Sequence, residues 1–188
     1  MGILEFFRTL RLKSDLQAGR HSAVEELFHR YADGLFHYAL TVAGDSDVAE
    51  DVVQQLFTDL VAKPESLQTV YNLKGYLYQA TRNRCLNAKK RSRREEPDEL
   101  FEVESPELAP EERLSLEFAL NSLSQDQREV VILKIYQGLT FGEIGRALEI
   151  PPNTAASRYR YALQHMREEL QPQGHAVPTE RTSHGFGR

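Results

Sequence analysis

The sequence predicts an all-α protein: two small helical domains joined by an acidic flexible linker. Three observations carry this. From Ala23 to Arg94 glycine and proline are scarce and apolar residues recur at intervals of three and four. An acidic stretch containing Pro97, Pro106 and Pro110 follows, and helical spacing then resumes. A chain of 188 residues suffices for two modest hydrophobic cores. The expected division is a tail at 1–20, a first domain at 21–94, the linker at 95–112, a second domain at 113–170 and a disordered tail at 171–188.

Taken in order, Leu27, Tyr31, Leu35, Tyr38 and Val42 form one stripe. After Gly44, either Asp45 or Ser46 caps a second helix carrying Val48, Val52, Leu56 and Leu60, which Pro64 closes. A third begins near Asn72 and carries Leu73, Leu77, Ala80, Cys85 and Leu86. Three such helices, antiparallel, bury their stripes together. The second half restarts with Leu114, Phe118 and Leu120. A helix at 125–137 follows, with Val130, Val131, Leu133 and Ile135, and Gly138 ends it. Thr140 caps a short helix at 141–148, Pro151-Pro152 breaks the chain, and Asn153 or Thr154 caps a last helix reaching Leu170. Two short helices around a tight turn, the second rich in Arg and Tyr, make a helix-turn-helix. The second domain is therefore expected to be a four-helix helix-turn-helix unit, winged-helix-like without strands.

Composition excludes several classes. Hydrophobic residues make up 40% and charged residues 27%, as in a soluble globular protein. No apolar run approaches the roughly 20 residues of a membrane span, and the first residues lack the order of a secretory signal. The expected location is cytoplasmic, without membrane insertion. Cys85, the single cysteine, reads as a buried, unreactive thiol. The six histidines, His21, His29, His37, His165, His175 and His184, show no paired ligand spacing. His29 and His37 lie two turns apart with no carboxylate spaced to complete a site. No nucleophile set, Gly-rich phosphate loop or metal set is present, so neither an enzyme nor a cofactor is expected.

The net charge of −5 conceals a sharp segregation. Residues 82–94 hold seven basic and no acidic residues (Arg82, Arg84, Lys89, Lys90, Arg91, Arg93, Arg94), whereas 95–112 holds nine acidic and no basic ones. A basic run can be a solvated helix end or a nucleic-acid site. Tyr71, Tyr76 and Tyr78 beside it could stack on unpaired bases, and Tyr78 could equally be core. On the last helix Ala155, Tyr159, Ala162, Met166 and Leu170 should face inward, leaving Asn153, Ala156, Ser157, Arg160 and Tyr161 outward with Arg158 at the flank. Arg160 is best suited to a guanine edge, and Asn153, Thr154, Ser157 and Arg158 to phosphates or base edges. The acidic segment Asp45, Asp47, Glu50, Asp51 and Asp59, with Gln54 and Gln55, would repel DNA and suits a protein partner or an ordinary solvated face.

These stretches together resemble the extracytoplasmic-function branch of the sigma-70 family. Leu27-Phe28-His29-Arg30-Tyr31 resembles its opening helix, and Ala49-Glu50-Asp51-Val52-Val53-Gln54-Gln55-Leu56-Phe57 its polymerase-binding motif. Asn72-Leu73-Lys74-Gly75-Tyr76-Leu77-Tyr78-Gln79-Ala80-Thr81-Arg82-Asn83 is similar to the segment leading into promoter melting. Residues 123–130, 138–144 and 153–158 resemble the upstream-promoter domain. The resemblance covers about 23–94 and 120–170. It implies that Asp47, Glu50, Asp51, Gln54, Gln55 and Phe57 bind core RNA polymerase. It implies promoter DNA contacts at Tyr76, Arg82, Asn83, Lys89, Lys90, Arg91, Arg93 and Arg94 for the minus-ten element. For the minus-thirty-five element it implies Asn153, Thr154, Ala156, Ser157, Arg158, Arg160 and Tyr161. An anti-sigma factor or other regulator is a further implied partner. Gln55 stands where the family usually has an acid, Tyr76 where it often has Trp, Ala156 and Tyr161 where Lys and Arg are common, and Glu149 at a common turn Gly.

Two rivals remain on the sequence alone. A helix-turn-helix regulator acting without polymerase predicts tight specific binding by the free protein. A helical adaptor predicts protein binding only, with the basic run a solvated end.

Overall fold

The computed structural model describes residues 10–16, 18–67, 70–91 and 109–170; all secondary structure among them is helical. Arg93, Arg94, most of the expected linker and the 171–188 tail lie outside the described residues. The helices are α1 (residues 10–16), α2 (His21–Ala43), α3 (Ser46–Ala62), a 3₁₀ turn (Pro64–Leu67), α4 (Leu73–Arg91), α5 (Pro110–Asn121), α6 (Gln125–Val131), a π segment (Ile132–Tyr136), α7 (Phe141–Leu148) and α8 (Pro152–Leu170).

The first unit is built from the expected stripes. Leu27, Leu35, Tyr38 and Val42 of α2, Val52, Leu56 and Leu60 of α3, and Leu73, Leu77 and Cys85 of α4 are buried together. Its turns follow the local chemistry. Gly44 ends α2 in the left-handed region (φ 68°) and donates its N–H to Leu40 O. Asp45, and not Ser46, caps α3, its carboxylate accepting the Val48 N–H at 2.8 Å. Asn72 Oδ1 accepts the Gly75 N–H at 2.8 Å at the start of α4. Part of the segment expected to be a tail is packed structure: α1 buries Leu12 and Leu16, and Lys13 Nζ donates to Val70 O. Cys85 is fully buried, and burial pushes its thiol up to about 12.

The second unit is a four-helix arrangement in which α8 packs against α5, α6 and α7. Pro110 lies at the first position of α5, where its missing N–H costs nothing, so the final residues of the expected linker are helical. Arg128 ties the turn that follows, donating to the carbonyls of Leu120, Asn121 and Leu123. One register expectation is corrected. The helix from Gln125 widens into a π turn, with the Gln137 N–H donating to Ile132 O at 3.1 Å. The added residue rotates the spacing, so Val130 to Leu133 are buried in succession and Ile135 is exposed.

Candidate nucleic-acid interface

The helix-turn-helix is fixed by its caps and its turn. Thr140 accepts the Glu143 N–H at its hydroxyl (3.3 Å), and Glu143 Oε2 accepts the Thr140 N–H at 2.7 Å. α7 then stops at Glu149, which takes the left-handed conformation (φ 58°) at the position where glycine is common. The turn also needs a glycine within α7: a Cβ on Gly145 would come within 2.7 Å of Ile150 O. The capping chemistry and tight turn set the angle at which α8 leaves α7.

On α8 the inward face is Ala155, Ala162 and Met166, with half-buried Tyr159 packed on Phe141 at 5.7 Å. Leu170 was expected inward and is exposed: residues 167–170 are exposed on every side, so the spacing no longer selects a face there. Asn153, Arg160 and Tyr161 are exposed, with the Arg160 guanidinium 5.3 Å from the Tyr161 ring; Thr154, Ala156 and Ser157 are half-buried. Arg158 is engaged, its Nη2 lying 2.6 Å from Asp126 Oδ2.

The α4 face divides in two. Asn83, Lys90 and Arg91 are exposed, and Lys89 and Tyr76 half-buried, Tyr76 against the core. Tyr71 projects almost wholly into solvent. Tyr78, the residue left open between core and base stacking, is core: it meets Tyr38 edge-on at 5.4 Å and donates to Gln137 Oε1 at 2.6 Å. Burial raises its pKa well beyond the ordinary tyrosine value. Arg82 is not presented as a free cation. Its Nε donates to Glu129 Oε2 at 2.8 Å, and the Tyr38 hydroxyl donates to the same oxygen at 3.0 Å. Burial opposes the Arg82 charge, but Glu129 outweighs it and raises the pKa. Sequence reasoning missed Glu129, which is 2% exposed and joins the two units; as one acid in a charged helix it carries no local signal.

On α3, Asp47, Glu50, Asp51, Gln54 and Gln55 are exposed as expected. Gln54 donates to Glu50 and Gln55 to Asp59, each at 2.8 Å. With Arg84 and Arg91, residues Asp51, Gln54, Gln55 and Thr58 line a cleft of about 530 Å³ between α3 and α4. Hydrogen bonds from Arg84 and then Gln55 lower the Asp59 pKa. Phe57 is a correction: it lies on the core face with Val53, Leu56 and Leu60, buried and 5.0 Å from Phe28, and is not a surface contact. The histidine reading also changes in detail, since Asp33 Oδ1 lies 3.4 Å from His37 Nε2. Among the described residues no cluster of His, Cys, Asp and Glu could hold a metal, and no helix is long and apolar enough to cross a membrane.

Two family models match the chain in succession, Sigma-70 region 2 at residues 27–95 and Sigma-70, region 4 at residues 113–166, together more than half its length. The chain is 29% identical over 170 residues to the ECF RNA polymerase sigma factor SigL of Mycobacterium tuberculosis, covering 86% of this chain and 96% of that one. It belongs to the extracytoplasmic-function branch of the sigma-70 family. A second sigma relative, SigW of Bacillus subtilis, is 23% identical over 188 residues, covering 89% of this chain and 98% of that protein. The fold of this sigma factor is similar to RpoE of Bartonella quintana, solved with the anti-sigma factor NepR. The TM-score is 0.67 at 24% identity, over 79% of this chain and 97% of that one. It is also similar to CnrH, solved with the cytosolic domain of CnrY, with a TM-score of 0.63 at 19% identity, over 85% and 94% of the two chains.

Proposed function

We propose that this sigma factor acts in the cytoplasm as a non-enzymatic initiation factor, docking on core RNA polymerase through α3 and reading two promoter elements through α4 and α8. The observation that carries the reading is the exposed polar surface of α8, set by a capped helix-turn-helix, on a chain that matches both sigma-70 regions in order.

Asp47, Glu50, Asp51, Gln54 and Gln55 would make the polymerase contact, an acidic surface meeting a basic partner. Tyr76, Asn83, Lys89, Lys90 and Arg91, with Arg93 and Arg94, would hold the minus-ten element by stacking and phosphate contacts. Asn153, Thr154, Ala156, Ser157, Arg160 and Tyr161, with Arg158 at the flank, would read the minus-thirty-five element in the major groove. The two promoter-binding units would be 21–94 and 113–170. The complex of the structurally similar RpoE with the anti-sigma factor NepR supports an anti-sigma factor as the regulator of this chain.

The test is association with purified sigma-free bacterial core polymerase. The wild-type chain should co-elute with core, and Asp51→Arg, which reverses an exposed charge on α3 without touching the core, should abolish it. Absence of core association together with specific duplex binding by the free chain would favour a polymerase-independent regulator.

A further inference from the structure

Of the three tyrosines at the start of α4, Tyr78 is core and Tyr76 is half-buried against it, whereas Tyr71 is 96% exposed. A ring this open adds nothing to the packing of the fold. Its backbone, by contrast, is pinned on both sides. Val70 packs against the core and donates its N–H to Leu67 O at 3.2 Å, and the Asn72 carbonyl accepts the Tyr76 N–H at 3.0 Å. The Asn72 side chain holds the same turn by accepting the Gly75 N–H.

A further tie comes from outside the matched family regions. Lys13 of α1 donates to Val70 O, the carbonyl of the peptide that leads into Tyr71, and α1 is itself seated by buried Leu12 and Leu16. The match to Sigma-70 region 2 begins at residue 27, well after α1. Lys13 is half-buried, so this bond is partly shielded from water.

From Tyr71 a polar track runs the length of α4. At about 1.5 Å of rise per residue, Arg91 lies about 27 Å from Leu73 along the axis. Lys90 and Arg91 are exposed at the far end, Asn83 and Asn87 between, and Tyr71 at the near end. Unpaired nucleic acid is held by this combination, cations following the phosphates while an open aromatic face takes a base of any identity. A ring on a fixed backbone also has less freedom to lose when a base settles on it.

We propose that Tyr71 is a platform on which an unpaired base of the minus-ten element stacks, and that Lys13 is the positioning residue that holds it there. The proposal rests on the promoter reading above. It adds to that reading a residue before α4 and a role for α1.

The sequence contains no tryptophan, so Tyr71→Trp in the full chain installs a single fluorescent reporter. A short mixed-sequence single strand should quench its emission, and a duplex of the same sequence should not. Adding Lys13→Met, which keeps the stem and removes the donor, should weaken the quenching, and Lys13→Arg should restore it. In the otherwise wild-type chain Tyr71→Ala should lower single-strand affinity about ten-fold. The loss should be equal at every salt concentration, because no phosphate contact is removed. Tyr71→Phe should keep the affinity. Emission unmoved by the single strand, or a Tyr71→Ala chain that binds it as wild type does, would overturn the stacking role. Loss of co-elution with core polymerase in Tyr71→Ala would overturn it too, assigning the ring to a protein contact. Undiminished quenching in the Lys13→Met chain, or loss of its helicity by circular dichroism, would overturn positioning, the second outcome making Lys13 a folding residue. Failure of the sigma reading is distinct: the wild-type chain would not associate with core polymerase, while the single strand still quenched the reporter.

Discussion

Arg158 of the reading helix lies with its guanidinium 2.6 Å from the carboxylate of Asp126, at the start of α6. Both side chains are partly exposed, so the pair contributes little to stability, about 0 to 1 kcal/mol. Its larger consequence is electrostatic, since it occupies a cation at the flank of the proposed DNA surface. Asp126→Asn should raise duplex affinity about three-fold and steepen its salt dependence, as measured by fluorescence anisotropy across a salt series. Unchanged affinity would mean that Arg158 serves only to brace α8.

Arg160 stands on the exposed side of the same helix. If it pairs with a base edge, Arg160→Ala should cost about 1 to 3 kcal/mol at one position of the minus-thirty-five element and relax preference there. Binding to a panel of single-base promoter variants measures this. A uniform loss across all variants would assign Arg160 to a phosphate instead.

The turn between α7 and α8 makes opposite predictions at two neighbouring positions. Gly145→Ala forces a Cβ to 2.7 Å from Ile150 O, a backbone atom that cannot swing aside. It should destabilise the protein by about 1 to 3 kcal/mol. Glu149→Gly removes a left-handed non-glycine residue and should stabilise by about 0.5 to 1 kcal/mol, net of the entropy of glycine. Urea denaturation of the two variants checks both signs.

Glu143 links acid stability to the helix-turn-helix. Burial pushes its carboxyl up, but hydrogen bonds from the Thr140 N–H, the Asn72 amide and the Thr140 hydroxyl outweigh this and hold its pKa below the ordinary value. A lowered carboxyl contributes stability that is complete above the unfolded value, about 4.3. That contribution is lost as pH falls through the lowered folded value. Thermal stability of the wild type should therefore fall below about pH 4.3, and Glu143→Gln should be less stable at neutral pH and show a shallower acid loss. Parallel acid profiles for the two proteins would contradict the assignment.

The helices were legible because their signals are local. Stripes such as Leu27, Leu35 and Tyr38, the Asp45 cap and the Thr140–Glu143 box each depend on residues within a few positions. On α8 the same spacing anticipated the exposure of Asn153, Arg160 and Tyr161, whereas Ala156 and Ser157 are half-buried. Ile135 went astray because a π turn shifts it off the stripe, and Phe57, which the family resemblance placed at the polymerase contact, lies beside Leu56 and Leu60 on the core face. The contact between the units was invisible for a different reason. Tyr38, Arg82 and Glu129 lie far apart in sequence, and a lone acid announces no distant partner.

The most direct test of the account is transcription. Purified protein, sigma-free core polymerase and a genomic promoter library would be combined and the transcripts sequenced. Discrete start sites sharing two upstream elements, lost with Asp51→Arg and degraded at the upstream element by Arg160→Ala, are the predicted result. Transcripts no more focused than those of core polymerase alone would contradict it.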